Sequence, residues 1–412
     1  MGTESFRSPA PHSIARPQVA GVLAAASFVL VGWTALLVPS LIRSLEDTFQ
    51  QSDAGIGLFY LLFSVAWAAG SYGGGLLTER QGRRKVLTLG AALIAIGLIG
   101  EGLAQDWSAF LIAGIPAGLG AGTIDGGGNG LVLDLFPDSR GRALNLLHLF
   151  FSVGALAAPA AIGPMVESGV SWETIVIASG VAAVPISLLF ATVAMPSGRR
   201  VVESATRHVG RIAATIGEGP GPSRPRLSAP LILLGLAIAM YLASQVGVSS
   251  WLVRFLEPAP LSTATFALSL YWAGIAIGRL VSSVLADRFD YSRFTVACSI
   301  GLAIAILGAV VVPSVPASIA LFAVAGVLSG PIFPMIVAIG GASNPNRTAA
   351  VAGFLNGTAV AGTIVYPPIM GFLSVTVGLG VAMLGNVMLA LGCAGAIVLA
   401  GRSARQHAAR EV

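Results

Sequence analysis

The chain has 412 residues, of which 55% are hydrophobic and only 10% are charged. Soluble proteins carry about 25% charged residues, so this composition excludes an ordinary soluble protein. The net charge of +5 does not indicate a nucleic-acid partner, because the basic residues lie in short segments between apolar runs. Cys298 and Cys393 both lie inside such runs, which argues against a disulfide framework or a cysteine metal site.

Twelve apolar runs are long enough to cross a bilayer as helices. They cover residues 19–42, 55–77, 86–105, 107–136, 142–165, 172–195, 228–256, 262–286, 293–312, 316–340, 347–375 and 377–400. The first run has no small-residue cleavage site, so we interpret it as a retained helix and not a signal peptide. The prediction is an all-α membrane protein whose twelve transmembrane helices form two pseudo-symmetric six-helix bundles.

The predicted organisation places one bundle on each side of a polar segment rich in glycine and proline. The segments are an N-terminal cytoplasmic tail (1–18), a first bundle (19–195), a cytoplasmic linker (196–227), a second bundle (228–401) and a C-terminal cytoplasmic tail (402–412). An internal repeat supports the two halves. Glu79-Arg80 ends the second span, and Asp287-Arg288 ends the eighth span about half the chain later.

The distribution of basic residues predicts the orientation. If both termini face the cytoplasm, all of the 23 lysines and arginines except Arg43, Arg254 and Arg279 lie on the cytoplasmic side. A bias of this size follows the positive-inside rule. A single lysine among the basic residues, with much alanine and glycine, indicates a GC-rich bacterial genome. We therefore expect a multi-pass protein of the inner membrane.

Residues Gly75 to Arg84 match the motif G-x-L-x-(D/E)-R-x-G-R-(R/K) throughout. In this motif the chain resembles the major facilitator superfamily, and the resemblance implies two bundles with a substrate site near the membrane midplane. It also implies alternating access and a cytoplasmic gate. The candidate gating residues are Gly75, Glu79, Arg80, Gly82, Arg83, Asp134, Asp287 and Arg288. The second copy lacks the glycines of the motif at Ser283 and Asp290.

The stretch from Gly118 to Asp134, GLGAGTIDGGGNGLVLD, places a carboxyl group inside an apolar span. Asp125 lies about 16 Å from the end of that span, close to the middle of a ~30 Å hydrocarbon core. Asn129 follows one turn later on the same face. An ionisable group at this depth is costly and indicates function, although Asp125 could also serve only to hold the helices together.

The fifth span carries a matching polar face. Its residues, at spacings typical of one helical face, are Asn145, His148 and Ser152. By depth, Asn129 matches His148 and Asp125 matches Ser152, so the two faces would make a polar strip if they met. A buried carboxyl can be neutral or charged near physiological pH, which a proton-coupling group requires. Asp125 and His148 are the candidate proton-coupling residues.

The same two stretches resemble the fucose-permease-like branch of the superfamily, which contains proton-coupled sugar symporters. Under this resemblance Asp125 replaces the usual glutamate. The chain departs from the branch in its first span, because Glu46 and Asp47 are expected to lie outside it. The resemblance implies a sugar or related solute.

Further polar and aromatic residues are candidates for substrate binding, since a sugar requires ring stacking and hydrogen bonds to its hydroxyls. With Asn129, Asn145 and Ser152 they are Tyr60, Trp67, Tyr241, Gln245, Trp272, Asn356, Thr363 and Tyr366. Packing between helices is the alternative for each of them, and Tyr60 could be an interfacial residue. Arg279 is expected to pair locally with Asp287.

The sequence therefore predicts a monomeric secondary transporter that moves a small polar solute with a proton. The alternatives are a proton-coupled exporter of amphipathic compounds and a membrane solute sensor on the same fold. The expected partners are the bilayer, the solute and the proton. We expect no cofactor, metal or nucleic acid, and no enzyme activity, because the spans contain no recognisable catalytic motif.

Overall fold

The computed structural model describes residues 17–136, 139–193, 195, 228–285, 288–343 and 348–408. The helices in these ranges are α1 (Pro17–Phe49), α2 (Asp53–Gln81), α3 (Arg83–Gly102), α4 (Trp107–Leu135), α5 (Arg140–Glu167), α6 (Trp172–Thr192), α7 (Ala229–Phe255), α8 (Leu261–Leu285), α9 (Tyr291–Val311), α10 (Val315–Ser329), α11 (Ile332–Ala342), α12 (Thr348–Val377) and α13 (Leu379–Ala408). Twelve stretches are long and apolar enough to cross a membrane, with α10 and α11 together forming the tenth. The all-α, twelve-span class is confirmed.

The tenth span is broken between α10 and α11 at Gly330 and Pro331. Proline has no backbone N–H and its ring crowds the preceding turn, so a regular helix is interrupted there.

The first span is longer than predicted. It continues to Phe49, so Glu46 and Asp47 lie inside α1 and the predicted end at Ile42 is wrong. The physical reason is the periodicity of the apolar residues. Leu41, Leu45 and Phe49 are four residues apart, and continuing the helix keeps all three packed in the core.

The two halves of the molecule repeat the same helix contacts. In the first half α1 packs on α5, α2 on α4, α3 on α4 and α3 on α6. The corresponding contacts in the second half are α7 on α12, α8 on α10, α9 on α10 and α9 on α13. Between the halves, α2 packs on α12 and α5 on α8, which are also equivalent positions. This correspondence is the pseudo-two-fold arrangement that the sequence repeat predicts.

Some of the predicted segments cannot be compared with the structure. The linker at 196–227 lies outside the described residues, as does the first tail except at its last residues. The second tail, predicted to begin at Arg402, is still helical to Ala408. Basic side chains such as Arg402 and Arg405 favour the last turns of a helix, because they complement its dipole.

Successive turns alternate between two ends of the bundle. We call the end that holds the turn between α1 and α2 the α1–α2 end, and the end that holds Gly82 the α2–α3 end. At the α1–α2 end the guanidinium of Arg43 donates to the carbonyls of Val253, Leu256 and Ala259 at 2.6–3.2 Å. These bonds join the two halves at that end.

Candidate functional site

The carboxylate of Asp125 has two neutral hydrogen-bond donors. The amide of Asn129, one turn further along α4, donates to Oδ1 at 3.1 Å. The indole Nε1 of Trp67 on α2 donates to Oδ2 at 3.4 Å. Asp125 remains partly exposed although it lies in the middle of a span. Both Asn129 and Trp67 were candidate substrate-binding residues, and the structure places them against the carboxylate.

Two glycines bring α2 close enough for this contact. A Cβ at Gly122 would overlap the Trp67 carbonyl oxygen, and one at Gly126 would overlap the Ser71 carbonyl oxygen. The two glycines, one turn apart on α4, therefore contact two backbone carbonyls that are one turn apart on α2. The glycine-rich stretch thus sets the distance between α2 and α4, which lets the Trp67 indole reach Asp125.

The polar face of α5 does not join Asp125 in the expected strip. The Phe28 ring of α1 packs edge-on against the His148 ring, with centroids 5.7 Å apart, and fills the space beside Gly128 of α4. Phe28 thus lies between the two polar faces. The Ser152 hydroxyl donates to the His148 carbonyl at 3.1 Å, along its own helix. The condition for one continuous strip is therefore not met, because α1 packs between α4 and α5.

His148 and Ser152 instead face Arg279 of α8, across the boundary between the halves. Arg279 Nη1 lies 3.5 Å from the Ser152 hydroxyl, and its guanidinium lies beside the phenol of Tyr241 and close to His148. The expected local pair with Asp287 stays a prediction, because Asp287 lies outside the described residues. The sequence interpretation assigned Arg279 to a local ion pair and not to the site, although its position in a span was a signal for the site.

Two more side chains lie on the helix faces of Tyr241 and Arg279. Gln245 follows Tyr241 by one turn on α7, and Trp272 precedes Arg279 by two turns on α8, so each pair shares a helix face. Trp272 packs on Phe151 of α5, with ring centroids 5.7 Å apart. Gln245 Oε1 and Trp272 Nε1 are buried without a hydrogen-bond partner among the described residues. We call Ser152, Tyr241, Gln245, Trp272 and Arg279 the Arg279 cluster.

The remaining substrate-binding candidates lie elsewhere. The buried Tyr60 hydroxyl donates to the Ser250 carbonyl at 2.9 Å, so Tyr60 joins the halves and is not an interfacial residue. The Tyr366 hydroxyl donates to the Ala382 carbonyl of α13, which is a packing contact. Thr363 bonds to its own helix at Val360, while Asn145 and Asn356 are exposed. Tyr60, Thr363 and Tyr366 thus use their hydroxyls in contacts within the protein.

The motif at the α2–α3 end has a clear local geometry. Gly82 has φ +85°, a conformation that favours glycine, and it turns the chain directly from α2 into α3. Arg83 forms an ion pair with Asp134 at the end of α4, so two of the candidate gating residues contact each other. Arg80 and Arg288 are exposed, and a Cβ at Gly75 would meet nothing within 4 Å. The side chains of Glu79 and Asp287 are outside the described part of the structure.

A second cluster, which sequence reasoning missed, joins the halves at the α1–α2 end. Arg254 Nε of α7 lies 3.0 Å from Glu46 and 3.1 Å from Asp53, and Asp53 also accepts a hydrogen bond from Ser374 of α12. With Arg43 these residues form what we call the Arg254 seal. Arg43 and Arg254 are two of the three basic residues that break the charge bias, which was the available signal.

Glu101, near the end of α3, is a third feature that the sequence did not single out. It is only 1% exposed, and neither carboxyl oxygen has a hydrogen-bond partner among the described residues. It lines an internal cavity of about 20 Å³, which is large enough for one water molecule, together with Thr34, Pro39 and Phe59. The absence of a side chain at Gly114 makes room for the carboxyl group.

We expect Glu101→Met to raise the melting midpoint of the purified protein, corresponding to about 1–2 kcal/mol of stability. Methionine has a similar volume and removes a buried polar group that has no protein partner. Leu98→Met in the same cavity is the control and should change stability little. A lower midpoint for Glu101→Met would mean that the carboxyl group is hydrogen-bonded in the folded protein.

The side chains of the described residues bring together no group of three or more histidine, cysteine, aspartate or glutamate residues that could hold a metal ion. The features at mid-depth are therefore a carboxylate with neutral donors and a separate guanidinium in a polar and aromatic setting. Such an arrangement can bind a polar solute and can take up or release a proton, but it contains no recognisable catalytic constellation.

Comparison with known proteins agrees with this description. The family model described as Major Facilitator Superfamily matches residues 22–258 and 229–411. The chain is similar to the arabinose-proton symporter of Bacillus subtilis (strain 168), with 28% identity over 145 residues, which cover 35% of this chain and 31% of that protein. It is also similar to a drug efflux pump of Mycobacterium tuberculosis (strain CDC 1551 / Oshkosh), with 30% identity over 134 residues, covering 32% and 26%.

A solved structure extends the similarity to the whole fold. It is that of a bacterial homolog to the human lysosomal transporter Spinster, in an inward-facing and unoccupied conformation. The TM-score is 0.76 at 16% sequence identity, covering 96% of this chain and 99% of that one. By contrast, the two sequence relatives are each matched over about a third of their own length or less.

Proposed function

The chain belongs to the Major Facilitator Superfamily, and from that premise we propose that it is a proton-coupled secondary transporter of a small polar solute. It is a multi-pass membrane transporter and not an enzyme. The proposal concerns the coupling ion, the solute and the mechanism. The solute binds between the two halves at mid-depth, Asp125 carries the proton, and the halves rock to expose the site to each side in turn.

The setting of Asp125 is the observation that carries the proposal. Its carboxylate lies at the middle of a span and is contacted by Asn129 and Trp67, neither of which carries a charge. Amide and indole donors orient the carboxylate without holding it permanently ionised, as an arginine would. The residue is also partly exposed, so protons can reach it. These properties suit a group that is protonated and deprotonated in each cycle.

The positive-inside rule supports an assignment of sides. Among the described residues, the basic side chains at the two ends lie mostly at the α2–α3 end, and the positive-inside rule then supports a cytoplasmic location for that end and for both termini. The Arg254 seal then closes the extracellular side of the protein. His148, which faces Arg279 between the halves, is exposed, as expected if the central space opens to the cytoplasm. We therefore propose that the structure represents an inward-open state of an inner-membrane transporter.

The aromatic lining favours a second candidate, a proton-coupled exporter of amphipathic compounds. Trp67, Phe151 and Trp272 lie around the two mid-depth groups, and one of the similar proteins is a drug efflux pump. Import of a sugar and export of an amphipathic compound can use the same carboxylate. The two functions differ in the chemistry of the solute whose transport is coupled to proton movement.

The experiment is proton influx into proteoliposomes that contain a pH-sensitive dye, after addition of sugars, sugar acids or amphipathic drugs. We expect an active solute to drive proton influx with the native protein. Asp125→Asn should reduce this influx to the level of empty liposomes while it retains exchange of labelled solute, because asparagine keeps the shape and cannot carry the proton.

The matched control is Asp47→Asn, the same chemical change at an exposed position of α1. It should behave as the native protein does. Unchanged influx with Asp125→Asn would remove Asp125 from coupling. Solute exchange without proton movement in the native protein would refute proton coupling, and solute binding without transport would support the sensor alternative.

A further inference from the structure

Arg279 is a guanidinium at mid-depth whose contacts among the described residues carry no negative charge. Its contact on α5, Ser152, lies about 18 Å from the start of that helix, which is near its middle. Its second contact is the phenol of Tyr241. The ion pairs that the described residues form involve Arg83 and Arg254, not Arg279.

The direction of the Arg279 side chain agrees with its contacts. Side chains in a helix lean toward its N-terminus, so Arg279 leans toward the membrane centre. Ser152 and Tyr241, which Arg279 contacts, lie on α5 and α7, in keeping with this direction. An unpaired guanidinium at this depth is costly, and such residues mark substrate pathways.

The helix faces that carry Tyr241 and Arg279 also carry two hydrogen-bonding groups that the protein itself does not use. Gln245 supplies a carbonyl oxygen and Trp272 an indole N–H, and both atoms are buried without a partner in the described structure. Buried polar groups normally have partners, so two such atoms on adjoining helices call for a ligand. A donor and an acceptor on the same faces as a guanidinium and a phenol match a solute that carries hydroxyls and an anionic group.

We propose that the Arg279 cluster binds the solute through a carboxylate group, so that the transported class is small hydroxylated organic acids such as sugar acids. The inference rests on the proposed function for the step of transport, but binding does not depend on it. The planar guanidinium matches a carboxylate in a two-bond fork, and the indole of Trp272 packs on the sugar ring. A solute with one carboxylate carries one negative charge. Its transport together with one proton on Asp125 therefore moves no net charge across the membrane.

The test uses matched pairs of probes that differ in one carboxylate. The pairs are D-glucuronate with D-glucose and D-galacturonate with D-galactose, titrated up to tens of millimolar against the full-length protein in detergent. The readout is the melting midpoint, because a ligand that binds the folded state raises it. We expect at least one acid to raise the midpoint in a saturable manner, while its neutral partner raises it less.

Arg279→Gln should weaken the apparent affinity for that acid by about tenfold or more, since charge-assisted hydrogen bonds are lost. Arg402→Gln, the same change at an exposed position of α13, is the control and should leave the affinity unchanged. Arg279→Lys keeps the charge without the fork, and we expect an intermediate affinity. Arg279→Lys is also the variant in which the affinity is measured if Arg279→Gln does not fold.

The inference is overturned by equal shifts for acids and neutral sugars, by no shift with either acid, or by undiminished affinity in both Arg279 variants. These outcomes are distinct from failure of the proposed function, because binding in detergent requires no gradient. Selective acid binding without proton influx would refute coupling and leave the carboxylate site standing. Proton influx driven by neutral sugars alone would support proton coupling and refute the carboxylate site.

Discussion

Replacing Arg254 with glutamine is expected to open the protein at the α1–α2 end. Arg254 is the cation between Glu46 and Asp53, whose side chains are only 12% and 9% exposed. Removing one partner of a buried ion pair leaves a charge without compensation and costs about 3–5 kcal/mol. Since Arg254 itself is 25% exposed, we expect a smaller effect of about 2 kcal/mol on the closed state, or about thirtyfold in the equilibrium.

The change can be measured with a reporter cysteine in place of Ser250, which is buried where Tyr60 meets the other half. Native Cys298 and Cys393 are both buried, so the background reaction with a hydrophilic maleimide should be low. We expect the labelling rate of the reporter to rise by a factor close to that of the equilibrium, about thirtyfold, because only the open state reacts.

The matched control is Glu257→Gln. Glu257 pairs with the same arginine, but its side chain is 64% exposed, and exposed ion pairs contribute little. This variant should label at the rate of the parent protein. Equal labelling of Arg254→Gln and its parent would mean that the hydrogen bonds of Arg43 hold the end closed without Arg254.

Replacing Gly122 with alanine is expected to destabilise the fold severely. The added methyl group, attached directly to the α4 backbone, would overlap the backbone carbonyl oxygen of Trp67 on α2, so neither group can move without moving its helix. Overpacking costs about 1–3 kcal/mol where side chains can adjust, and we expect at least the upper end of that range here. The same displacement would move the Trp67 indole away from Asp125.

The measurement is the melting midpoint in detergent, with the yield of monodisperse protein as a second readout. Gly73→Ala is the control, because a Cβ at Gly73 on α2 meets no atom within 4 Å. It should be neutral or slightly stabilising, since alanine favours a helix over glycine. A Gly122→Ala protein as stable as the native one would show that α2 and α4 tolerate a wider separation.

Several features of the protein were readable from short segments of the chain. Each span is defined by about twenty consecutive apolar residues, and hydropathy depends on nothing beyond that segment. The Gly75–Arg84 motif and its copy also lie within single segments, which is why the twelve spans and the family were predicted together. The end of α1 was placed too early because Glu46 and Asp47 interrupt the apolar run, whereas the buried Leu45 and the partly buried Phe49 continue it.

The partners of the polar residues depended on which helices meet, which no single segment specifies. Membrane helices that are apolar on all sides carry little periodic signal for their rotation, so the faces of α4 and α5 could not be oriented against α1. For that reason Phe28 was not expected between Asp125 and His148, and Trp67 was not expected on Asp125.

The sequence alone therefore determined the membrane class, the number of spans, the charge bias and the presence of Asp125 at mid-depth, because each depends on local composition and length. Only the tertiary structure decided that Asp125 lies with Asn129 and Trp67, that Arg279 faces Ser152 and Tyr241, and that Arg254 joins the halves. These contacts depend on the packing of glycines and aromatic rings between helices distant in sequence, and a hydropathy pattern does not encode that packing.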